Sequence, residues 1–232
     1  MFTAVNNFAH LHPMKKPPKI YLIHAADVAM PPIVASFRAN WPQARIVNLL
    51  EDGLMNDLAA DGQLTGAMTE RFVQIGHYCV KAAADAILFT CSAFGPAIEE
   101  CRRQVAIPVL KPNEAMYEEL VAQSGTVSLL ATFQPSLPSM LAEIAAQASK
   151  QGTEVKVKAQ LVEGALAALQ DGNADEHNRL IAQAAAHQTG CTTIAFAQFS
   201  MAPAKALAAA RTATRILTTP DSAVAKLKGL LA

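Results

Sequence analysis

The chain lacks several features that mark large classes of proteins. Its four cysteines form no Cys-x-x-Cys pair, and it has neither a glycine-rich phosphate loop nor a Gly-x-Ser-x-Gly motif. Basic and acidic residues balance at 19 each, so there is no excess of positive charge that would indicate a nucleic acid partner. Apolar runs are shorter than the roughly 20 residues of a membrane span. We therefore expect no metal, no cofactor, no nucleic acid partner and no membrane partner.

The N-terminus also lacks the apolar core of a secretory signal. This predicts a cytoplasmic protein, in which free thiols are the expected state of the cysteines. Residues 1–18 contain three prolines and no acidic residue, and they follow no clear period. We predict that they form a mobile arm outside the folded lobes.

What the chain has is a regular alternation of short apolar runs and alanine-rich helical stretches. Aromatic residues are only 6% of the chain, while apolar residues as a whole are 52%. The alternation predicts an α/β fold with parallel sheets covered by helices. Strands are predicted at 20–24, 45–49, 86–90, 108–110, 127–131, 154–159, 193–197 and 215–217, and the clearest helices at 65–84, 136–149 and 175–187.

The second half of the chain repeats the first. Ala25 and Ala131 are 106 residues apart, and Cys91 and Gln198 are 107 apart. This predicts two pseudo-symmetric lobes, each a parallel sheet of about four strands flanked by helices, with an active site in the cleft between them. The first lobe would comprise residues 19–113 plus 220–232, and the second 114–219. Chance alignment of strand-turn-helix units is the alternative.

Cys91 is the strongest candidate for chemistry. It follows the apolar run 86–89 and precedes Ser92 and Pro96, which suits a strand end beside a helix start. Such a helix start would favour a thiolate and would also hold a carboxylate. The alternative is a small buried hydrophobic residue. The other cysteines, Cys79, Cys101 and Cys191, are predicted to be packing residues.

Other polar residues follow predicted strands and would meet at the same edge of the sheets. Thr132 would bind a carboxylate or cap the next helix. His24 is a candidate acid or base, or else a hydrogen-bonded structural histidine. Asp52 and Glu163 would orient the thiol, bind a substrate amine or cap a helix.

Three segments carry a resemblance to a known family. They are the strand ending in Thr90-Cys91-Ser92, the strand ending in Leu130-Ala131-Thr132, and the segment 217–223. They resemble the aspartate/glutamate racemase superfamily, which includes hydantoin racemases, maleate isomerases and arylmalonate decarboxylases. The resemblance covers nearly all of 20–231. It implies two α/β lobes around a cleft, without metal or cofactor, and a frequent tendency to self-associate, hence a possible homodimer.

The resemblance also implies a mechanism and one departure from it. Racemases of the superfamily place a cysteine in each lobe, so that one thiolate removes the Cα proton and the other thiol delivers one. Here Cys91 holds the first position and Gln198 the second. A carboxamide cannot replace a thiol as a proton donor or acceptor. A symmetrical two-thiol mechanism is therefore not expected.

The function implied is that of a cofactor-independent, racemase-like isomerase. It would act at the carbon next to the carboxylate of a small acid or amino-acid derivative, with Cys91 as base or nucleophile. A decarboxylase of malonate-like diacids and a noncatalytic small-carboxylate binder are the alternatives. The residues expected to bind substrate are Ser92, Ala93, Thr132, Gln198, Phe199, Ser200, His24, Asp52 and Glu163.

Overall fold

The computed structural model describes residues 16–123 and 125–231. Of the arm predicted over residues 1–18, residues 1–15 lie outside the described part of the chain. Within the described ranges, no helix combines the length and apolar character needed to cross a bilayer.

The first lobe is built on a four-stranded parallel sheet. Its strands are β1 (Lys19–His24), β2 (Arg45–Leu50), β3 (Ala86–Phe89) and β4 (Val109–Leu110), in the order β2-β1-β3-β4. The helices in this half are α1 (Met30–Asn40), α2 (Gly53–Asp61), α3 (Gly66–Lys81) and α4 (Gly95–Gln104). Short 3₁₀ helices at Asp27–Ala29 and Ser92–Phe94 follow β1 and β3.

The second lobe repeats this order. Its strands are β5 (Gly125–Ala131), β6 (Val155–Leu161), β7 (Thr193–Phe196) and β8 (Arg215–Thr218), in the order β6-β5-β7-β8. The helices that follow in the chain are α5 (Glu114–Ala122), α6 (Leu137–Gln151), α7 (Ala165–Gln170), α8 (Ala174–Ala186), α9 (Lys205–Ala209) and α10 (Thr219–Leu231). The 3₁₀ helices Gln134–Ser136 and Phe199–Ala204 follow β5 and β7, as in the first lobe.

The predicted fold class is confirmed. All strand pairs are parallel, and the two sheets have the same strand order. The predicted strands match the observed ones to within about two residues at each end, which is the usual uncertainty of strand ends. The residue boundaries of the two lobes stay a prediction.

Alternate residues of each central strand pack on opposite faces of the sheet. In β1, Ile20 and Leu22 face one cluster, and Tyr21 and Ile23 face the other. Burial on both faces explains why these strands read as continuous apolar runs. The second sheet is buried on both faces in the same way.

Two elements join the lobes. Helix α10 follows the last strand of the second sheet, yet its residues Ala223, Val224 and Leu227 pack into the core beneath β1. Phe199, from the 3₁₀ helix after β7, packs into the same cluster and is 5% exposed. The loop after β7 is therefore anchored in the core of the first lobe.

Candidate active site

Cys91 and Gln198 occupy equivalent places in the two lobes. Cys91 follows β3 and Gln198 follows β7, and each has an extended backbone (φ −119° and −118°) directly before a 3₁₀ helix. Because parallel strands end at the same edge of a sheet, both side chains lie at strand ends where ligands of α/β proteins bind.

A cavity of about 210 Å³ lies between the two lobes at these strand ends. It is lined by Cys91 and Ser92 from the first lobe and by Gln198, Phe199 and Ser200 from the second. The remaining lining residues are Ala26, Val28, Ala29, Thr90, Pro112, Asn113, Met140 and Ala197. The thiol therefore borders a space that a small molecule can enter.

The Cys91 thiol is partly buried and has two close neighbours. They are the Met55 sulfur, 3.8 Å away, and the main-chain N–H of Ala93. Burial raises the pKa of Cys91, and the nearby N–H of Ala93 opposes this only in part. The main-chain amide at the helix start favours the thiolate in the expected direction, but desolvation penalises the charge more, so the net shift of the pKa is upward.

The Gln198 carboxamide is held on the second lobe. Its Oε1 accepts a hydrogen bond from the main-chain N–H of Thr132 at 3.0 Å, and its Nε2 donates to Ser136 Oγ at 3.3 Å. Thr132 is 6% exposed and does not line the cavity. The strand-end amide of Thr132 is thus paired with Gln198.

His24 ends β1, the strand beside the one that precedes Cys91, and it does not line the cavity. Its side chain is fully buried, with Nδ1 2.9 Å from Thr90 Oγ1 and Nε2 3.0 Å from Asn48 Oδ1. Burial lowers the pKa of His24 more than the Asn48 contact raises it. Both ring nitrogens have partners in the protein. The prediction of a hydrogen-bonded structural histidine therefore fits His24 better than the prediction of an acid or base.

Asp52 and Glu163 are not brought to the cavity. Both are exposed, and neither is among its lining residues. Asp52 stands directly before α2 but makes no side-chain capping bond there. Ala93 is also exposed and does not line the cavity, and its main-chain N–H lowers the pKa of Cys91.

Sequence reasoning missed several cavity residues. Pro112 and Asn113 follow β4, so the strand-end rule that selected Cys91 would have found them too. Met140 on α6 and Val28 beside α1 carry no sequence signal, because apolar side chains on helices are far more often core residues. The same holds for Met55 on α2, which contacts the Cys91 sulfur and does not line the cavity.

The polar groups of the cavity are neutral. Within residues 16–123 and 125–231, the lining holds hydroxyls, a thiol and amides, with no Lys, Arg, His, Asp or Glu. In the same part of the chain, no three His, Cys, Asp or Glu side chains are grouped as they would be around a metal ion. A bound carboxylate would therefore be held by neutral hydrogen-bond donors.

The remaining cysteines lie elsewhere. Cys79 and Cys101 are fully buried in the first-lobe core, where burial raises their pKa values to about 12 and about 11. Cys101 fills the space over Gly76, since a Cβ at Gly76 would come within 2.5 Å of the Cys101 sulfur. Cys191 precedes β7, at the opposite end of that strand from Gln198, and packs against the second-lobe core.

These features define a two-lobed α/β protein with a shared cleft and a single strand-end thiol. The chain belongs to the Asp/Glu/hydantoin racemase family, whose model matches residues 3–227. No curated protein sequence matches it significantly.

Solved structures support the fold assignment. The allantoin racemase of Klebsiella pneumoniae aligns with a TM-score of 0.69 at 16% identity, covering 92% of this chain and 87% of that one. An aspartate racemase homologue from Pyrococcus horikoshii gives 0.63 at 15% identity, with 91% and 98% covered. The glutamate racemase of Francisella tularensis, solved with D-glutamate, gives 0.62 at 16% identity, with 93% and 81% covered. At sequence identities of 15–16%, these similarities show a shared fold.

Proposed function

We propose that the protein is a cofactor-independent, racemase-type isomerase acting at the carbon next to the carboxylate of a small acid or amino-acid derivative. Cys91 is its thiol base or nucleophile. The observation that carries this proposal is the position of Cys91, a strand-end thiol that borders a cavity between two pseudo-symmetric lobes. Membership of the racemase family supports it.

The neutral lining suits a reaction in which a carboxylate gains charge. Removing a proton from Cα converts the carboxylate into an enediolate, whose extra charge needs hydrogen-bond donors that are already in place. Ser92 and Ser200 line the cavity and supply hydroxyls and main-chain amides. In this role they bind the carboxylate while Cys91 reaches Cα.

In the proposed reaction, Cys91 both removes a proton from Cα and returns one. The thiolate takes the Cα proton and becomes a thiol. After its hydrogen exchanges with water, the same thiol returns a proton or deuteron to the same face, and the slower inversion takes its proton from water on the opposite face. Because its pKa is raised by burial, the thiolate is a stronger base once it forms, although less of it is present at neutral pH. Gln198, across the cavity, binds and does not transfer protons.

The test is deuterium uptake at Cα in deuterated water, followed by proton NMR over a panel of amino acids, hydantoins and 2-substituted carboxylic acids. The wild-type protein is expected to exchange at least one panel member. Cys91→Ser should slow that exchange by roughly 10²-fold to 10⁴-fold, the usual contribution of a general base. Cys191→Ser, which changes a thiol outside the cavity, is the matched control and should leave the rate unchanged.

Three outcomes would overturn the proposal. Full exchange by Cys91→Ser would remove the assigned role of this thiol. Carbon dioxide release with deuterium uptake would identify a decarboxylase instead. Thermal stabilisation by carboxylates without exchange of any of them would identify a noncatalytic binder.

A further inference from the structure

The lining of the candidate active-site cavity has a polar part and an apolar part. The polar part holds residues that follow β3 and β7: Cys91, Ser92, Gln198 and Ser200. The apolar part comes mainly from other elements: Val28 and Ala29 after β1, Pro112 after β4, and Met140 on α6. A ligand whose carboxylate is held by the polar part therefore has its other substituents beside apolar side chains.

Val28 and Met140 line the apolar part from different lobes. Val28 lies in the 3₁₀ helix Asp27–Ala29 of the first lobe and is 56% exposed. Covering it with an apolar group removes apolar surface from water, which favours binding. Met140 is 3% exposed and packs into the core of the second lobe, and its flexible thioether chain can adapt to the shape of a bound group. Both residues therefore favour an apolar group in this part of the cavity.

Further large apolar side chains are exposed at the edge of the sheets that carries the cavity. Leu50 is the last residue of β2, Met55 lies on the helix that follows it, and Phe133 follows β5. Their exposed fractions are 39–49%. Exposed apolar side chains that gather near a cavity are typical of ligand-binding sites. They extend the apolar surroundings of the cavity beyond Val28 and Met140.

The charged residues nearest in sequence to the apolar part do not line it. Asp27 precedes Val28 and is exposed. Lys111 precedes Pro112 and pairs with Glu99 at 3.0 Å. A second carboxylate on the ligand would lose water there without gaining a cationic partner among the described lining residues. An uncharged apolar substituent has no such cost.

We propose that the cleft selects acids and amino-acid derivatives whose Cα carries an apolar, uncharged side chain, which packs against Val28 and Met140. This inference rests on the proposed function, because that function places the carboxylate at the polar part of the lining. It distinguishes derivatives of leucine and similar amino acids from those of aspartate and glutamate, and it disfavours diacids.

The test uses a matched pair of compounds. Leucine and aspartate have side chains of the same branched shape, one ending in two methyl groups and the other in a carboxylate, and the pair is offered as amino acids and as their hydantoins. Deuterium uptake at Cα gives kcat/KM, and protection of Cys91 against iodoacetamide reports binding without turnover. The leucine member should exceed the aspartate member in both by roughly tenfold or more, because the second carboxylate would lose water beside apolar side chains.

Variants place the preference on the named residues. Val28→Lys should raise the ratio of aspartate-member to leucine-member kcat/KM by roughly fivefold or more, since an ion pair is gained and apolar surface is lost. Val80→Lys, at an exposed valine on α3 that does not line the cavity, is the matched control and should leave the ratio unchanged. Met140→Ala should lower kcat/KM of the leucine member about fourfold or more, the effect of at least one lost methylene contact, and affect the aspartate member less. The wild-type pair and the Val28 variant decide the inference even if Met140→Ala does not fold.

The outcomes separate this inference from the proposed function. Exchange with the expected preference supports both. Equal or faster exchange of the aspartate member, or a preference for the basic side chain of diaminobutyrate, would overturn the inference and leave the proposed function standing. Preferential protection by the leucine member without exchange of any compound would support the inference and overturn the proposed function. Failure of every compound both to exchange and to protect Cys91 would overturn both.

Discussion

At the scale of single residues, the proposed chemistry depends on the protonation state of the Cys91 thiol. Its sulfur borders the cavity, but burial raises its pKa and so reduces the fraction of thiolate. Chemical reactivity follows the thiolate and not the thiol. We therefore expect the reactivity of Cys91 to increase as the pH rises.

This gives a prediction for alkylation. In a Cys191→Ser background, iodoacetamide should label Cys91 before the fully buried Cys79 and Cys101. The labelling rate should rise with pH, with a midpoint above the value of about 8.5 for a free cysteine. The same chain unfolded in urea supplies the reference, and labelling is measured by mass spectrometry. A midpoint at or below that reference would contradict the raised pKa.

The sequence predicted Cys91 and Gln198 as site residues because both follow short apolar strands at matching offsets, and both line the cavity. It could not predict the direction of the Cys91 pKa shift, because burial is set by neighbours such as Met55, from a distant helix. The same holds for His24. Its surroundings depend on Thr90, which is 66 residues away in the sequence, and on Asn48, and no local pattern contains these contacts.

At the scale of secondary structure elements, Asp221 connects three helices. It stands in the first turn of α10 and accepts hydrogen bonds from Ser36 and Asn40 on α1, at 2.6 and 3.2 Å. Lys205 on α9 pairs with it at 2.7 Å. Because α9 follows the 3₁₀ helix that carries Phe199 and Ser200, this cluster ties a cavity segment to the first lobe.

Asp221 should therefore contribute stability that acid removes. Burial alone would raise the pKa of Asp221, but hydrogen bonds from Lys205 and Ser36 outweigh it and lower the pKa. A lowered folded-state pKa gives stability that is complete above the unfolded value of about 3.9 and is lost as the pH falls through the folded value.

Asp221→Asn should lower the free energy of unfolding at pH 7 by roughly 1–3 kcal/mol, since a charged acceptor of several hydrogen bonds is lost. The loss should shrink below about pH 4, where the wild-type carboxyl also becomes neutral. Urea titrations at several pH values measure this, with the exposed Asp61→Asn as control. A destabilisation that is equal at pH 3 and pH 7 would show that the carboxylate charge is not what matters.

Element positions were predictable because buried parallel strands give continuous apolar runs and surface helices give alanine-rich amphipathic ones. The observed β1 and β7 match the predicted runs closely. The 3₁₀ helices after β1, β3, β5 and β7 were not predicted, because helices this short have no clear hydrophobic period. They matter here, since they place the residues that follow Cys91 and Gln198.

At the scale of the whole molecule, the backbone is pseudo-symmetric, whereas the side chains at the two equivalent strand ends differ. Both sheets have the same strand order, and both lobes bring a strand end to the cleft. One of these ends carries a thiol and the other a carboxamide that is hydrogen-bonded to Thr132 and Ser136. The repeat in the sequence was enough to predict a cleft between two lobes. The neutral lining of the cavity could not be predicted, because it depends on residues such as Met140, Asn113 and Val28, which come from separate elements.

The asymmetry has a direct kinetic consequence. If Cys91 is the thiol base and Gln198 transfers no proton, the proton returns mainly to the face from which it was taken. Exchange at Cα should then be faster than inversion of configuration. A pair of thiols, one on each face, would instead deliver a solvent-derived proton to the opposite face and produce inversion with exchange.

The most direct test is to follow deuterium uptake and inversion together, by NMR and chiral chromatography, on one enantiomer of a substrate found in the exchange screen. We expect the wild-type protein to take up deuterium faster than it inverts, and Gln198→Cys to raise the ratio of inversion to exchange. Inversion as fast as exchange in the wild-type protein would contradict a cleft served by the Cys91 thiol alone.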